Sequence, residues 1–228
     1  MRVIHNTRLR RVLSRIIPFA LIPAVVLLGA LVFDQQRHLI ISFGVAALAL
    51  VLFMTGYEQS NIGSRRMVLT AVMTALAVVG RFIPVFKPVA AICVITGMYL
   101  GEQAGFLCGS MSALISNFYF GQGPWTAFQM LGFGLIGLAA GYLSRPLIRS
   151  MALLLVYGAA SGVIYSFIMD IWTVLWYSGG FDPALYLAAL ASALPFTITY
   201  TVSNIVFLFL LGKPMGEKLS RVKLKYGV

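Results

Sequence analysis

The sequence contains few charged residues for its length. Only 10% of the 228 residues are charged, whereas an ordinary soluble domain has about 25%. Hydrophobic residues make up 60% of the chain, and the mean hydropathy is +0.93. This composition excludes an ordinary water-soluble domain. We expect an all-α integral membrane protein, because long apolar segments cross a bilayer as helices that satisfy their own backbone hydrogen bonds.

Acidic residues and cysteines are also scarce. Six Asp and Glu stand against seventeen Lys and Arg, which gives a net charge of +11. The basic residues form short clusters between apolar runs and no continuous basic face, so the charge does not indicate nucleic-acid binding. Cys93 and Cys108 both fall inside apolar runs. We therefore expect buried thiols, and neither a disulfide framework nor a metal cluster.

The residues that catalysis would need are largely missing. His5 and His38 lie outside the apolar runs, which excludes a Ser-His pair or a histidine metal site within the bilayer. The sequence has no Gly-x-Ser-x-Gly, His-Glu-x-x-His or Walker A motif, so we expect no catalytic residue, no cofactor and no ATP hydrolysis by this chain. Asp170 is the one carboxylate well inside an apolar run. Such a residue is either a functional candidate or a hydrogen-bonded structural carboxylate.

The apolar runs predict eight membrane spans, judged against the roughly 20 residues that a crossing helix needs; the fourth and fifth are short. The predicted spans are Ile16–Phe33, Leu39–Thr55, Met67–Ile83, Pro88–Leu100, Gln103–Phe118, Thr126–Leu143, Met151–Tyr177 and Leu185–Leu211. As one helix, the run Pro88–Phe120 would be about 50 Å long, well beyond a hydrocarbon core of about 30 Å. It is therefore predicted to turn at Gly101-Glu102-Gln103.

The distribution of basic residues predicts the orientation of the spans. With both termini in the cytoplasm, fourteen of the seventeen Lys and Arg are cytoplasmic and only Arg37, Arg81 and Lys87 lie outside, as the positive-inside rule requires. The expected organisation is a basic N-terminus with two spans over 1–60, six further spans over 61–212 and a basic cytoplasmic tail over 213–228. We expect a multi-pass protein of a bacterial cell membrane.

Small residues recur at helical spacing in several spans. Gly97, Gly101, Gly105 and Gly109 follow one another every four residues, a pattern that lets helices approach closely in lipid. Ala71-x-x-x-Ala75 in the third span is the same kind of surface.

Three connections on the predicted outer side combine aromatic rings with hydrogen-bonding groups. Together with Asp170, they supply the candidate substrate-binding residues Arg81, Phe82, Lys87, Asn117, Tyr119, Gln122, Trp125, Gln129, Asp170, Trp172 and Trp176. Interfacial Trp and Tyr often serve only as membrane anchors. The added amides and Arg81 favour recognition of an organic ligand with a conjugated body and polar edges.

Several motifs between Met67 and Leu211 resemble a known family. They are Lys87-Pro88, Gly97-Met-Tyr-Leu-Gly101, Ser116-Asn-Phe-Tyr-Phe-Gly-Gln-Gly-Pro-Trp125, Gln129-Met130 and Gly134-Leu-Ile-Gly-Leu-Ala-Ala-Gly141. This region is similar to the substrate-binding S component of an energy-coupling factor (ECF) vitamin transporter. The Gly-Gln-Gly-Pro-Trp stretch is its most specific part and looks most like members assigned to cobalamin; riboflavin, a queuosine precursor and pantothenate are the other substrates considered.

The resemblance implies partners and a mechanism. An S component has a six-helix core, binds its vitamin outside and reorients in the membrane, while a transmembrane coupling protein and two ATPases form the rest of the ECF module. Ala71 and Ala75 match the family's surface for the coupling protein. The two N-terminal spans depart from the family pattern. Two other hypotheses are a stand-alone proton-coupled carrier that uses Asp170 and a small intramembrane enzyme that uses Asp170 or Cys108.

Overall fold

Helices lie at all eight predicted spans in the computed structural model, which describes residues 7–32, 38–55, 62–178 and 180–226. The helices are α1 (Thr7–Ile16), α2 (Ile22–Val32), α3 (His38–Thr55), α4 (Ile62–Gly80), α5 (Val89–Leu100), α6 (Glu102–Phe120), α7 (Trp125–Tyr142), α8 (Ser144–Arg149), α9 (Met151–Ser178) and α10 (Pro183–Tyr226). The prediction of an all-α membrane protein is confirmed. Arg2, His5 and Arg37 lie outside the described residues.

Three helices in the described part of the chain are long and apolar enough, by length and composition alone, to cross a membrane. They are Val12–Gly29, Met151–Ser178 and Pro183–Lys225, and the shorter helical segments Phe43–Leu52 and Val89–Leu100 are also apolar. Helices α4, α6 and α7 also bury polar side chains, among them Thr70, Thr74, Ser116, Asn117 and Thr126.

The predicted turn between the fourth and fifth spans is confirmed at Gly101. Helix α5 ends at Leu100 and α6 begins at Glu102. Gly101 has a φ of +96°, a backbone conformation that glycine adopts without the steric cost that a Cβ would add. A side chain here would also meet the guanidinium of Arg66. The sharp reversal keeps α5 and α6 within one bilayer thickness.

Helix α5 lies at the centre of the bundle. All its residues except Tyr99 are buried, and it packs against α4, α6, α7 and α10. A Cβ added at Gly97, Gly105 or Gly137 would overlap the backbone of a facing helix, so these glycines allow α5, α6 and α7 to approach closely. Cys93 and Cys108 are fully buried in this region, so their predicted burial is confirmed.

The N-terminal hairpin, formed by α1, α2 and α3, packs on the outside of α6 and α7. A π-helical turn, Ile17–Leu21, joins α1 to α2; it contains Pro18, which lacks the backbone N–H of a regular helix. On α3, one face made of Ile41, Val45, Ala49 and Leu52 is buried. The hairpin therefore lies beside the six-helix core and does not enter it.

Helix α10 extends well beyond the predicted span Leu185–Leu211. It continues to Tyr226 through Pro195 and Pro214 and is 44 residues long. Its end folds onto the bundle, since Lys223 Nζ donates a 2.7 Å hydrogen bond to the Tyr99 carbonyl. Nearby, Arg66 donates to Gln103 Oε1 at 3.2 Å. The basic tail is thus an extension of the last helix.

Candidate functional site

A network of hydrogen bonds joins three helices at the end of the bundle where α4 and α6 finish and α7 begins, which we call the cavity end. Arg81 follows the last residue of α4 and donates from Nη1 to Ser116 Oγ at 2.6 Å and to Asn117 Oδ1 at 2.7 Å. Asn117, which is fully buried, donates in turn to Gln129 Oε1 at 2.8 Å. The network therefore fixes the Arg81 guanidinium and the Gln129 amide relative to each other.

Gln122 of the Gly-Gln-Gly-Pro-Trp stretch and the adjacent Thr126 extend this hydrogen-bond network. Thr126 Oγ1 accepts a 2.9 Å hydrogen bond from Asn117 Nδ2 and donates to Gln122 Oε1 at 3.0 Å. Gln122 donates to the Leu114 carbonyl at 2.9 Å, which ties the connection to α6. Asn117 and Gln122 are thus positioning residues, because their polar atoms are engaged within the protein.

A small cavity of about 60 Å³ lies beside this network. Flat rings form much of its wall: Phe133 and Tyr165 are stacked with centroids 4.3 Å apart, and Tyr200 meets Tyr165 edge-on at 5.2 Å. The full lining is Arg81, Lys87, Val89, Ala90, Gln129, Phe133, Gly162, Tyr165, Tyr200 and Asn204. The cavity is therefore an aromatic slot with polar groups at its edges.

Two cations face this slot. Lys87 stands in the connection between α4 and α5, and its backbone carbonyl accepts a 3.0 Å hydrogen bond from Ser203 on α10. Burial lowers the pKa of the Lys87 amino group, and the nearby charge of Arg81 lowers this pKa further. Two cations held together in this way favour a ligand that presents carbonyl oxygens or other electron-rich groups to them.

An aromatic cluster lies at the mouth of the site. The Phe82 ring is 4.7 Å from Tyr119 and 4.9 Å from Phe120, centroid to centroid. Arg81 and Lys87 both approach the Phe120 ring, at 5.1 and 5.6 Å from its centroid. Tyr119 is 73% exposed, so the predicted residues Phe82 and Tyr119 sit at the surface rather than in the slot.

The predicted tryptophans form a separate cluster. Trp172 on α9 is 6.3 Å from Trp125 and 5.0 Å from Trp176 between ring centroids, and it also contacts Phe128. None of the three tryptophans is part of the slot's lining. Of the predicted substrate-binding residues, the slot brings together Arg81, Lys87 and Gln129.

Asp170 is 6% exposed and lies on the face of α9 that packs toward α10, one turn beyond Ser166. The Ser166 hydroxyl is 2.6 Å from Thr197 Oγ1 on α10. Among the described residues, Asp170 Oδ2 has no hydrogen-bond partner. Burying a carboxylate oxygen without a hydrogen-bond partner costs free energy. Asp170 is not part of the slot's lining.

The slot residues Phe133, Tyr165, Tyr200 and Asn204 were not predicted. They lie in the middle of α7, α9 and α10, whereas most of the predicted residues lie in or beside the connections between spans. A signal was present, because Tyr200 and Asn204 are four residues apart and share one face of a largely apolar helix. Polar residues within a membrane span mark candidate sites.

A second surface contains Ala71 and Ala75. Both are exposed on α4 and line an apolar groove of about 420 Å³, which we call the alanine groove. Its lining residues are Leu50 from α3; Met67, Thr70, Ala71, Thr74, Ala75, Val78 and Val79 from α4; and Leu107, Met111 and Ile115 from α6. The groove is lined by different residues from the slot.

A multi-span helical bundle with an aromatic slot and fixed polar groups at one end defines a membrane-embedded binding protein. The family model for the ECF-type riboflavin transporter, S component, matches residues 61–221. The chain belongs to this family. It is therefore an S component of a vitamin importer and works with the other subunits of an ECF module. Residues 1–60 lie outside the match, and comparisons with curated proteins and with solved structures gave no match.

Proposed function

We propose that this S component binds riboflavin in the aromatic slot and delivers it across the membrane, while partner subunits hydrolyse ATP. The observation that carries the proposal is the combination of Phe133, Tyr165 and Tyr200 with the polar groups of Arg81 and Asn204 around one cavity. The isoalloxazine ring of riboflavin is planar and carries carbonyl and N–H groups along its edge. Stacking on the rings and hydrogen bonds at the edge would satisfy both features.

The size of the slot favours riboflavin over cobalamin. A volume of about 60 Å³ is below the roughly 300–1,000 Å³ of ligand pockets, so either ligand requires side chains to move apart. A flat tricyclic ring is thinner and smaller than a corrin with its nucleotide arm, so it requires less movement of the side chains that line the slot.

Cobalamin is the second candidate, and the exposed aromatic clusters favour it. Phe82, Tyr119 and Phe120 at the mouth, with Trp125 and Trp172 nearby, could cover a large ring that remains outside the slot. The two ligands predict different effects of Trp125→Ala. Riboflavin in the slot should be insensitive to this change, whereas cobalamin at the mouth should bind about tenfold more weakly, as expected for losing ~1.4 kcal/mol of stacking.

The orientation proposed for the site is outward, with both termini in the cytoplasm. Charge supports it: the end opposite the slot carries Arg65, Arg66, Arg145, Arg149 and the lysines of α10, while the cavity end carries Arg81 and Lys87. Helix α5 is buried along its length and is packed against glycines of α6 and α7. This close packing along α5 favours release on the other side by reorientation of the whole subunit.

Ala71 and Ala75 are proposed to contact the coupling protein. Their small, exposed side chains allow a neighbouring helix to approach the α4 backbone closely. Replacing both by Trp should abolish assembly with the coupling protein and leave vitamin binding to the isolated chain intact. Unchanged assembly would assign the contact to another face.

The proposal is tested by identifying the bound vitamin and its energy source. The chain is purified from cells supplied with both riboflavin and cobalamin, and the extracted ligand is identified by mass spectrometry. Proteoliposomes then receive the chain alone or the complete module. Riboflavin should be recovered, and uptake should require the module and ATP. Uptake by the chain alone on a proton gradient would instead establish a secondary carrier.

A further inference from the structure

The alanine groove has walls from two different parts of the chain. Helices α3 and α4 both pack on α6, and the groove lies between them with α6 as its floor. Leu50 of α3 faces Met67, Ala71 and Ala75 of α4 across this space. One wall thus comes from the family-matched core and the other from the N-terminal hairpin, which lies outside residues 61–221.

The shape of the groove fits a helix. Met67, Ala71, Ala75 and Val79 follow one another every four residues along α4, a length of about 18 Å. Leu107, Met111 and Ile115 repeat the same spacing on α6. Rows of residues four apart form the ridges and grooves into which another helix packs. Small residues in such a row let the backbone of another helix approach closely. Packing of a lipid chain does not require small residues.

The groove offers no free polar group to an occupant. Its hydroxyls already donate to their own helix: Thr70 Oγ1 to the Arg66 carbonyl and Thr74 Oγ1 to the Thr70 carbonyl, both at 2.8 Å. The other lining side chains are apolar. Such a lining suits an uncharged, apolar segment.

Leu50 is available to such an occupant. It is 47% exposed, although α3 buries its opposite face, including Val45 and Ala49, against the core. Val51, its neighbour, is 44% exposed and does not line the groove. The pair provides a target and a matched control on the same helix.

We infer that the N-terminal hairpin forms part of the docking site for the coupling protein, with Leu50 packing against a transmembrane helix of that protein seated in the alanine groove. The inference rests on the proposed contact at Ala71 and Ala75 and adds a second wall to it. The hairpin then restricts which coupling protein can bind, because the seated helix must fit between α3 and α4.

The first test is site-directed cross-linking in the complete complex. Leu50→Cys and Val51→Cys are each labelled with a benzophenone maleimide; the unmodified chain is the labelling control, since Cys93 and Cys108 are fully buried. On illumination, Leu50→Cys should cross-link to the coupling protein and Val51→Cys should not. Products with lipid only or with a second copy of the chain, or equal yields at both positions, would overturn the inference.

The second test separates this inference from the proposed function. Leu50→Trp, Val51→Trp and Ala75→Trp are compared for co-purification of the coupling protein. Leu50→Trp and Ala75→Trp should each lower recovery about tenfold, as overpacking by ~1.4 kcal/mol would, and Val51→Trp should not. Riboflavin binding by the isolated variants checks their folding. If Ala75→Trp abolishes assembly and Leu50→Trp does not, only the role of the hairpin is refuted. If Ala75→Trp leaves assembly unchanged, the proposed contact of α4 with the coupling protein is itself refuted.

Discussion

Arg81 donates a 2.7 Å hydrogen bond to the buried side chain of Asn117 and thereby ties the end of α4 to the end of α6. The same guanidinium lines the slot. The neutral Asn117 amide therefore holds the Arg81 guanidinium in place, and a ligand in the slot need not contact that amide. In a protein interior, such fixed donors lower the cost of ordering polar groups on binding.

Arg81→Lys should weaken riboflavin binding about tenfold, or ~1.4 kcal/mol, because a single ammonium cannot replace both guanidinium nitrogens, Nη1 bonded to Ser116 and Asn117 and Nη2 bonded to Gln129. Asn117→Ala should have a similar effect. In the double variant the losses should not add, since both changes remove one shared interaction. Flavin fluorescence titration measures this cycle, with Arg145→Lys on α8 as the control. Fully additive losses would show that Asn117 does not act through Arg81.

Tyr200→Ala should weaken riboflavin binding about tenfold or more, because an aromatic contact and its buried area are lost at once. Tyr200→Phe keeps the ring and should bind within about threefold of the parent chain, a change below ~1 kcal/mol. Tyr142→Ala, on an exposed tyrosine far along α7, is the control. Equal losses for the Ala and Phe variants would assign the contribution to the hydroxyl group instead of the ring.

Gly137→Ala should lower thermal stability, because the added Cβ meets the backbone of Gly105 on the facing helix. Overpacking of this kind costs about 1–3 kcal/mol. Gly44→Ala is the matched control: it lies inside α3 with nothing within 4 Å of the new Cβ, so its melting temperature should stay the same or rise. Melting is followed in one detergent. A stable Gly137→Ala protein would contradict the close approach of α6 and α7.

Asp170→Asn should retain riboflavin binding within about threefold, or less than ~1 kcal/mol, because this carboxylate is not part of the slot's lining. ATP-driven uptake by the complete module should also persist. Transport in proteoliposomes at several external pH values is the measurement. Uptake that is reduced and no longer varies with external pH would make Asp170 a proton relay and would support the carrier hypothesis.

Much of the fold could be predicted from local sequence, because bilayer thickness limits helix length. The break at Gly101 followed from the length of Pro88–Phe120 and its one polar point. The length of α10 could not be predicted in this way, because Gly212 and Pro214 are residues that usually end a helix, yet α10 continues through them to Tyr226. Its end contacts the bundle through the hydrogen bond from Lys223 to Tyr99. The predicted cytoplasmic placement of that tail stays a prediction.

The site was predictable only in part for a related reason. Arg81, Lys87 and Gln129 stand at helix ends, where polar residues are conspicuous between apolar runs. Tyr165, Tyr200 and Asn204 come together only through the pairing of α9 with α10 and their packing beside α7. That pairing depends on the close approach of α9 and α10 at Gly162, where an added Cβ would meet Thr201. The residue spacing within either helix does not predict which helix it will contact.

The most direct test of the account is titration of the purified, ligand-free chain with riboflavin, followed by flavin fluorescence, with cobalamin added as a competitor. We predict one riboflavin bound per chain, quenched fluorescence from stacking on the slot tyrosines, affinity reduced in Tyr200→Ala but not in Trp125→Ala, and no displacement by cobalamin. Binding of cobalamin without riboflavin, with sensitivity to Trp125→Ala and not to Tyr200→Ala, would contradict it.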